Sequence, residues 1–148
     1  MTIDFTTISA YHAPEESPGF LLWRVSTLWR RAIEMVLKPL GLTHPQFVIL
    51  ATVGWLTKNG EKATQIAISR QAGLDPNTTS QVLRGLQAKK LIERSEGGRD
   101  KYPVLTKSGT LSLQKALPAV ERADKEFFAH IDSITLTKHL QELNFSLR

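Results

Sequence analysis

The 148-residue chain contains no cysteine. This absence excludes disulfide bonds, thiolate metal sites, cysteine nucleophiles and thiol-based redox sensing. The longest apolar run, residues 47–56, is far shorter than the roughly 20 residues of a membrane span. No lysine or arginine precedes Arg24, so the N-terminal segment does not resemble a targeting peptide. We therefore expect a cytoplasmic protein with no membrane partner.

Catalytic motifs are also missing. The four histidines are scattered along the chain, and there is no glycine-rich phosphate loop, no nucleophile elbow and no HExxH pattern. We therefore expect the chain not to be an enzyme and to need no cofactor.

Positive charge is concentrated in the middle of the chain. Residues 62–115 contain ten basic and four acidic side chains, whereas the remaining residues contain nine basic and ten acidic ones. A basic segment between nearly neutral ends is typical of a protein that binds a polyanion.

Helical periodicity and capping residues divide the chain into elements. Residues 1–17 have no sustained period and are predicted to form a loose arm. Residues 20–40 repeat apolar side chains along two adjacent lines, which predicts a helix with more than one packing partner. Thr43 and Gln46 form a capping-box pattern at the start of a second helix, which extends to about Lys58.

Two further helices are predicted close together. Thr64 caps a short helix that ends near Gly73, and Asp75-Pro76 caps a helix that extends to about Lys90. Two helices joined by a short, glycine-containing turn are a candidate helix-turn-helix.

A β-hairpin and two more helices follow. Residues 91–95 and 101–105 flank a Gly-Gly pair, which predicts two antiparallel strands. Residues 106–131 form a long helix that Pro118 is expected to bend, and residues 136–147 form a final helix. The fold class is therefore mainly α with a small β-hairpin wing: a winged helix-turn-helix with helical extensions.

The polar residues of the fourth helix and of the hairpin suit nucleic acid. Short hydroxyls, amides and a guanidinium are the groups that hydrogen-bond base edges and phosphates in the major groove, and basic residues on a hairpin suit the backbone or a minor groove. The candidate DNA-binding residues are Thr64, Asn77, Thr78, Ser80, Gln81, Arg84, Arg94, Arg99 and Lys101.

These motifs resemble the MarR family of bacterial transcription regulators. The resemblance rests on residues 73–80, on 91–94, on Asp100-Lys101 with 105–109, and on 41–47, in the family's order and over nearly the whole chain. It implies a winged helix-turn-helix DNA-binding lobe at 43–106. It also implies a helical lobe at 18–40 and 107–148 that forms an obligate homodimer.

The resemblance further implies the function. Such dimers bind pseudo-palindromic double-stranded DNA with half-sites about one helical turn apart, and most are repressors. Many members release DNA when a small, often aromatic, ligand binds between the lobes. Trp23, His44 and Trp55 are our candidates for the residues nearest such a cavity.

Four residues depart from the family's pattern. Lys90 stands where glycine is usual before the strand, Thr79 replaces an aliphatic residue, and Lys101 follows Asp100 where arginine is commoner. Arg99 is a possible substitute for that arginine. Pro103 removes a hydrogen-bond donor, so its strand is expected at an edge.

Two other functions remain open. His130 and His139 near Asp132 suggest a metal-responsive DNA-binding sensor, with the metal held across a dimer. The other open function is a winged helix that contacts only proteins. Such a protein would need an apolar face on the fourth helix, and the fourth helix of this sequence is polar there.

Overall fold

A computed structural model describes residues 1–95 and 102–147 of the chain. Within these ranges the chain forms six α-helices and one two-stranded sheet. In chain order the elements are α1 (Pro18–Leu37), α2 (His44–Thr57), α3 (Gln65–Ala72), α4 (Pro76–Ala88), β1 (Ile92–Arg94), β2 (Pro103–Leu105), α5 (Lys107–Phe127) and α6 (Ser133–Ser146). The predicted fold class, mainly helical with a hairpin wing, is confirmed.

Side-chain caps begin the helices at the predicted places. Thr43 and Gln46 form both hydrogen bonds of the capping box before α2. The Thr64 hydroxyl accepts from the Ala67 amide before α3, and the Thr106 hydroxyl accepts from the Gly109 amide before α5. Each cap satisfies an amide that the first helical turn leaves without a partner, so the sequence itself sets these boundaries.

One hydrophobic core joins helices α1 to α5. Its fully buried members come from α1, α2, α3, α4 and α5, so the helix-turn-helix and the long flanking helices share a packed interior. The largest of these buried apolar side chains are Ile33, Leu37, Ile49, Leu50, Val53, Ile68 and Leu86.

The wing is a short antiparallel ladder in which Ile92 pairs with Leu105, Glu93 with Val104 and Arg94 with Pro103. Pro103 is therefore the first residue of its strand, where its missing amide costs no internal ladder bond.

The turn between α4 and the wing shows how Lys90 occupies a position where the family usually has glycine. The Lys90 amide bonds to the Gln87 carbonyl, and the Leu91 amide bonds to the Leu86 carbonyl, which is the Schellman pattern at a helix C-terminus. Lys90 takes the left-handed position of this motif, with φ of 58°. The backbone geometry that suits glycine is thus kept with a lysine in place.

Several predicted boundaries differ from the structure. α5 ends at Phe127 rather than Ile131, and α4 ends at Ala88. α6 begins three residues before the predicted start because the Asp132 carboxylate accepts from the amides of Ile134 and Thr135. The arm contains two short 3₁₀ turns, Phe5–Thr7 and Pro14–Glu16. α5 continues across Pro118 without interruption, and the bend expected there stays a prediction.

In the described ranges, none of the helices combines the length and the apolar character that crossing a membrane would require.

Candidate nucleic-acid interface

One face of α4 is exposed and polar, and the opposite face is buried. Asn77, Gln81 and Arg84 are exposed and follow a spacing of four and then three residues, which places them on one line of the helix. The residues that anchor α4 to the core lie on the opposite side: Thr79, Leu83 and Leu86. The helix therefore presents the side-chain amides of Asn77 and Gln81 and the guanidinium of Arg84 to solvent, while its opposite face is fixed in the core.

The cap of α4 engages one of the candidate residues. The Asp75 carboxylate accepts from the Thr78 amide at 2.9 Å and from the Thr78 hydroxyl at 2.5 Å. These hydrogen bonds from Thr78 hold the pKa of Asp75 below its usual value. The Thr78 hydroxyl hydrogen is thus committed to the cap, and only its lone pairs remain for a ligand. Ser80 is half-buried beside the exposed line.

A buried pair of hydroxyls joins the two helices of the helix-turn-helix. Ser69 on α3 donates to the Thr79 hydroxyl at 3.0 Å, and Thr79 donates to the Asp75 carbonyl at 2.9 Å. Thr79, which replaces the family's aliphatic residue, is completely buried. Its hydroxyl is therefore satisfied, and the pair fixes the position of α4 on α3.

The remaining four DNA candidates lie outside α4 in the sequence. Thr64 is exposed at the start of α3, where its hydroxyl oxygen already caps the helix. Arg94 is exposed at the end of β1. Arg99 and Lys101 lie outside the described residues, so their predicted role in the wing stays a prediction.

None of the cavities bounded by residues 1–95 and 102–147 is lined by more than one of the three ligand candidates. Trp23 on α1 is 72% exposed, and Trp55 near the end of α2 is 60% exposed, with the Lys58 ammonium 3.0 Å from its ring centre. His44 is buried at the start of α2, about 16 Å along the helix axis from Trp55 by the usual rise per residue. A cavity does adjoin His44, and neither tryptophan lines it.

Sequence reasoning missed Lys89, which ties the end of α4 to the corner between α1 and α2. Its ammonium donates to the Gly41 carbonyl at 2.6 Å and to the Gln46 side-chain oxygen at 2.7 Å. The position after the last turn of a helix is a usual place for a lysine. Its partners are more than forty residues away in the sequence, so no local pattern identifies them.

No group of three histidine, aspartate or glutamate side chains within residues 1–95 and 102–147 is arranged to hold a metal ion.

A polar face on the second helix of a helix-turn-helix, with a wing beside it, defines a winged-helix DNA-binding transcription regulator. No protein-family model matches the chain. The chain is 38% identical over 124 residues to the HTH-type transcriptional regulator YdcH of Bacillus subtilis (strain 168), covering 82% of this chain and 84% of that protein. Together with the solved MarR structures below, this places the chain in the MarR family of transcription regulators.

A more distant relative has solved structures. The HTH-type transcriptional repressor Rv2887 of Mycobacterium tuberculosis is 29% identical over 116 residues, covering 76% of this chain and 81% of that protein. Its complex with salicylic acid aligns with a TM-score of 0.64 and 27% identity, over 86% of this chain and 94% of that one. Its complex with DNA aligns with a TM-score of 0.67 and 25% identity, over 86% and 97%. Both relatives are named as transcription regulators.

Proposed function

We propose that the protein represses transcription by binding a pseudo-palindromic operator as a homodimer. The observation that supports this proposal most directly is the exposed line of Asn77, Gln81 and Arg84 on α4. The buried Ser69–Thr79 pair holds this helix against α3. A rigid helix with outward amides and a guanidinium suits the major groove, where such groups distinguish base pairs. The relative named a repressor, and its complex with DNA, support this proposal.

The homodimer is supported by apolar side chains that the single chain leaves exposed. No residue of α6 is buried, although the helix carries several large apolar side chains. A 14-residue helix is marginal in water without tertiary packing, so α6 needs a partner surface. α1 exposes a similar set, and the two sets together include Leu22, Trp23, Leu28, Ile134, Leu140, Leu143 and Phe145.

We propose that a second copy of the chain covers this surface. The division proposed is a DNA-binding lobe at 43–106 and a dimerisation lobe at 18–40 with 107–148, with residues 1–17 as an arm. In sedimentation equilibrium we expect twice the 16.6 kDa chain mass. Leu143→Glu should shift the population toward monomer, whereas Gln141→Glu adds the same charge at an exposed polar position of α6 and should not.

The DNA proposal is tested by fluorescence anisotropy with DNA from upstream of the protein's own gene. Titrations at about 150 mM salt with excess random competitor suppress non-specific binding. We expect saturable nanomolar binding with two subunits per site. If the dimer neutralises about six phosphates, log K should fall with log salt at a slope near −5. Binding that competitor DNA abolishes at every candidate operator would contradict the proposal.

We further propose that a small aromatic acid weakens DNA binding. The support is the salicylic acid complex of Rv2887 and the cavity beside His44.

A further inference from the structure

A lysine and a tyrosine join the loop before α3 to the base of the wing. The Lys62 ammonium lies 5.3 Å from the centre of the Tyr102 ring. This distance is within the roughly 6 Å range of a cation–π contact. Tyr102 directly precedes β2, and its carbonyl accepts from the Ser95 amide at 2.9 Å, which continues the β1–β2 pairing by one residue. The contact therefore places a positive charge at the wing.

The backbone beside Lys62 is fixed, and its side chain is free to face solvent. Ala63, the next residue, is 1% exposed and belongs to the hydrophobic core. Thr64 follows, and its hydroxyl accepts from the Ala67 amide at 3.1 Å to cap α3. The Lys62 side chain itself is exposed. The lysine thus extends from a defined backbone position and not from the middle of a loose loop.

The same end of the loop adjoins the start of α4. The Gln65 side-chain amide donates to the Pro76 carbonyl at 3.4 Å, so the first turn of α3 lies against the first turn of α4. Asn77, the first residue of the exposed line on α4, follows Pro76 directly. Lys62 precedes Gln65 by three residues, a span of at most about 11 Å between Cα atoms. Lys62 therefore lies close both to the polar face of α4 and to the wing.

A DNA phosphate is the ligand that this position suits. When the second helix of a helix-turn-helix lies in the major groove, the first helix crosses the DNA backbone. The start of α3 would then face phosphates, which an ammonium binds as a point charge. The loop of residues 58–64 contains two lysines and one glutamate, so its net charge is positive.

We propose that Lys62 binds a DNA phosphate between the groove that α4 enters and the wing, and that Tyr102 is the positioning residue that holds the Lys62 ammonium there. The inference rests on the proposed function, because it adds a backbone contact to the DNA interface. An ordered lysine loses rotamer freedom, which opposes binding. A ring that restricts the side chain before DNA arrives removes part of this cost. The ring covers one side of the ammonium, which has three donors, so an N–H remains for a phosphate oxygen.

The test is fluorescence anisotropy of the full-length protein with two duplexes over a range of salt concentrations. One is a random-sequence duplex at about 50 mM salt, where non-specific binding is measurable, and the other is DNA from upstream of the protein's own gene. Lys62→Met should weaken binding to both duplexes about tenfold and reduce the salt slope by about two per dimer, one for each subunit. Lys58→Met is the matched control, because Lys58 lies in the same loop on a ring of its own, 3.0 Å from the centre of Trp55. It should keep the salt slope of the parent and an affinity within twofold.

Variants of Tyr102 separate positioning from a structural role. Tyr102→Phe keeps the ring and should bind within twofold of the parent, whereas Tyr102→Leu should lose about threefold. The double variant Lys62→Met/Tyr102→Leu should bind like Lys62→Met alone, because the ring acts through the lysine. A tyrosine that only stabilised the wing would give additive losses. Circular dichroism melting curves check that each variant is folded.

The outcomes separate this inference from the proposed function. Lys62→Met with the affinity and salt slope of the parent, or additive losses for Lys62 and Tyr102, would overturn the inference. A parent protein that binds the random duplex through Lys62 but shows no preference for any operator fragment would refute the proposed repressor and leave the phosphate contact standing. A parent that binds neither duplex would overturn both.

Discussion

Replacing Thr79 with valine removes the hydroxyl that joins α3 to α4 and leaves the side-chain volume almost unchanged. Ser69 is buried and loses its acceptor, and an unsatisfied buried group costs roughly 1–3 kcal/mol. The Asp75 carbonyl loses one donor but keeps the Thr79 amide at 3.0 Å. The Ser69 hydroxyl can also turn to the carbonyl one helical turn earlier. We therefore expect Thr79→Val to cost about 1–2 kcal/mol of unfolding free energy.

A double-mutant cycle isolates the pair. Ser69→Ala leaves Thr79 bonded to the Asp75 carbonyl, so it should cost about 1 kcal/mol or less. With both hydroxyls gone the site is apolar and still filled, so the double variant should cost about 1 kcal/mol less than the sum of the single changes.

The assay is urea unfolding followed by circular dichroism at one fixed protein concentration, because the unfolding free energy of the proposed dimer would depend on protein concentration. Thr57→Val is the matched control, since its hydroxyl donates only to the Val53 carbonyl of its own helix. Its expected cost is below about 0.5 kcal/mol. Strict additivity of the Ser69 and Thr79 changes would refute the account of the pair.

Three further predictions concern single positions. Lys90→Gly should raise the urea midpoint, by up to about 1 kcal/mol of unfolding free energy, because glycine adopts the positive φ without strain; a lower midpoint would contradict this. Gly109→Ala should prevent native packing of α5, because an added Cβ would lie 1.9 Å from the Leu91 carbonyl oxygen, and the expected readout is loss of cooperative melting. The lowered pKa of His44 means that the unfolded chain binds more protons, so this contribution to stability is present above pH 6.5 and declines as the pH falls below it; His44→Asn should flatten that part of the curve of unfolding free energy against pH.

Local chemistry explains why the helix-turn-helix was predictable. The caps at Thr43, Thr64 and Asp75 act within three residues of themselves, so their signals are complete in the sequence. Asp132 caps α6 by the same chemistry, so the helix begins earlier than the apolar periodicity alone predicts. At Lys90 the sequence gives no such local signal. The turn after α4 has a left-handed residue at this position, but the glycine that usually indicates such a turn is replaced by lysine.

Contacts between distant residues were not predictable. Trp29 donates to the Asp124 carboxylate at 2.7 Å across 95 residues, and Lys89 reaches Gln46 across 43. The apolar periodicity of α1 does not distinguish residues of the core from residues that the proposed dimer would cover. Leu22 and Ile33 lie on the same apolar line of α1, yet Leu22 is 56% exposed and Ile33 is fully buried.

We propose that the exposed face of α4 reads base edges while the wing contacts the DNA backbone. The most direct measurement is anisotropy of Gln81→Ala and Arg94→Ala on the operator and on a scrambled duplex, over a range of salt concentrations. We predict that Gln81→Ala loses roughly 1–3 kcal/mol on the operator and little on the scrambled duplex. Arg94→Ala should lose affinity for both and reduce the salt slope by about one for each lost phosphate contact. Equal losses for both variants on both duplexes would contradict the account.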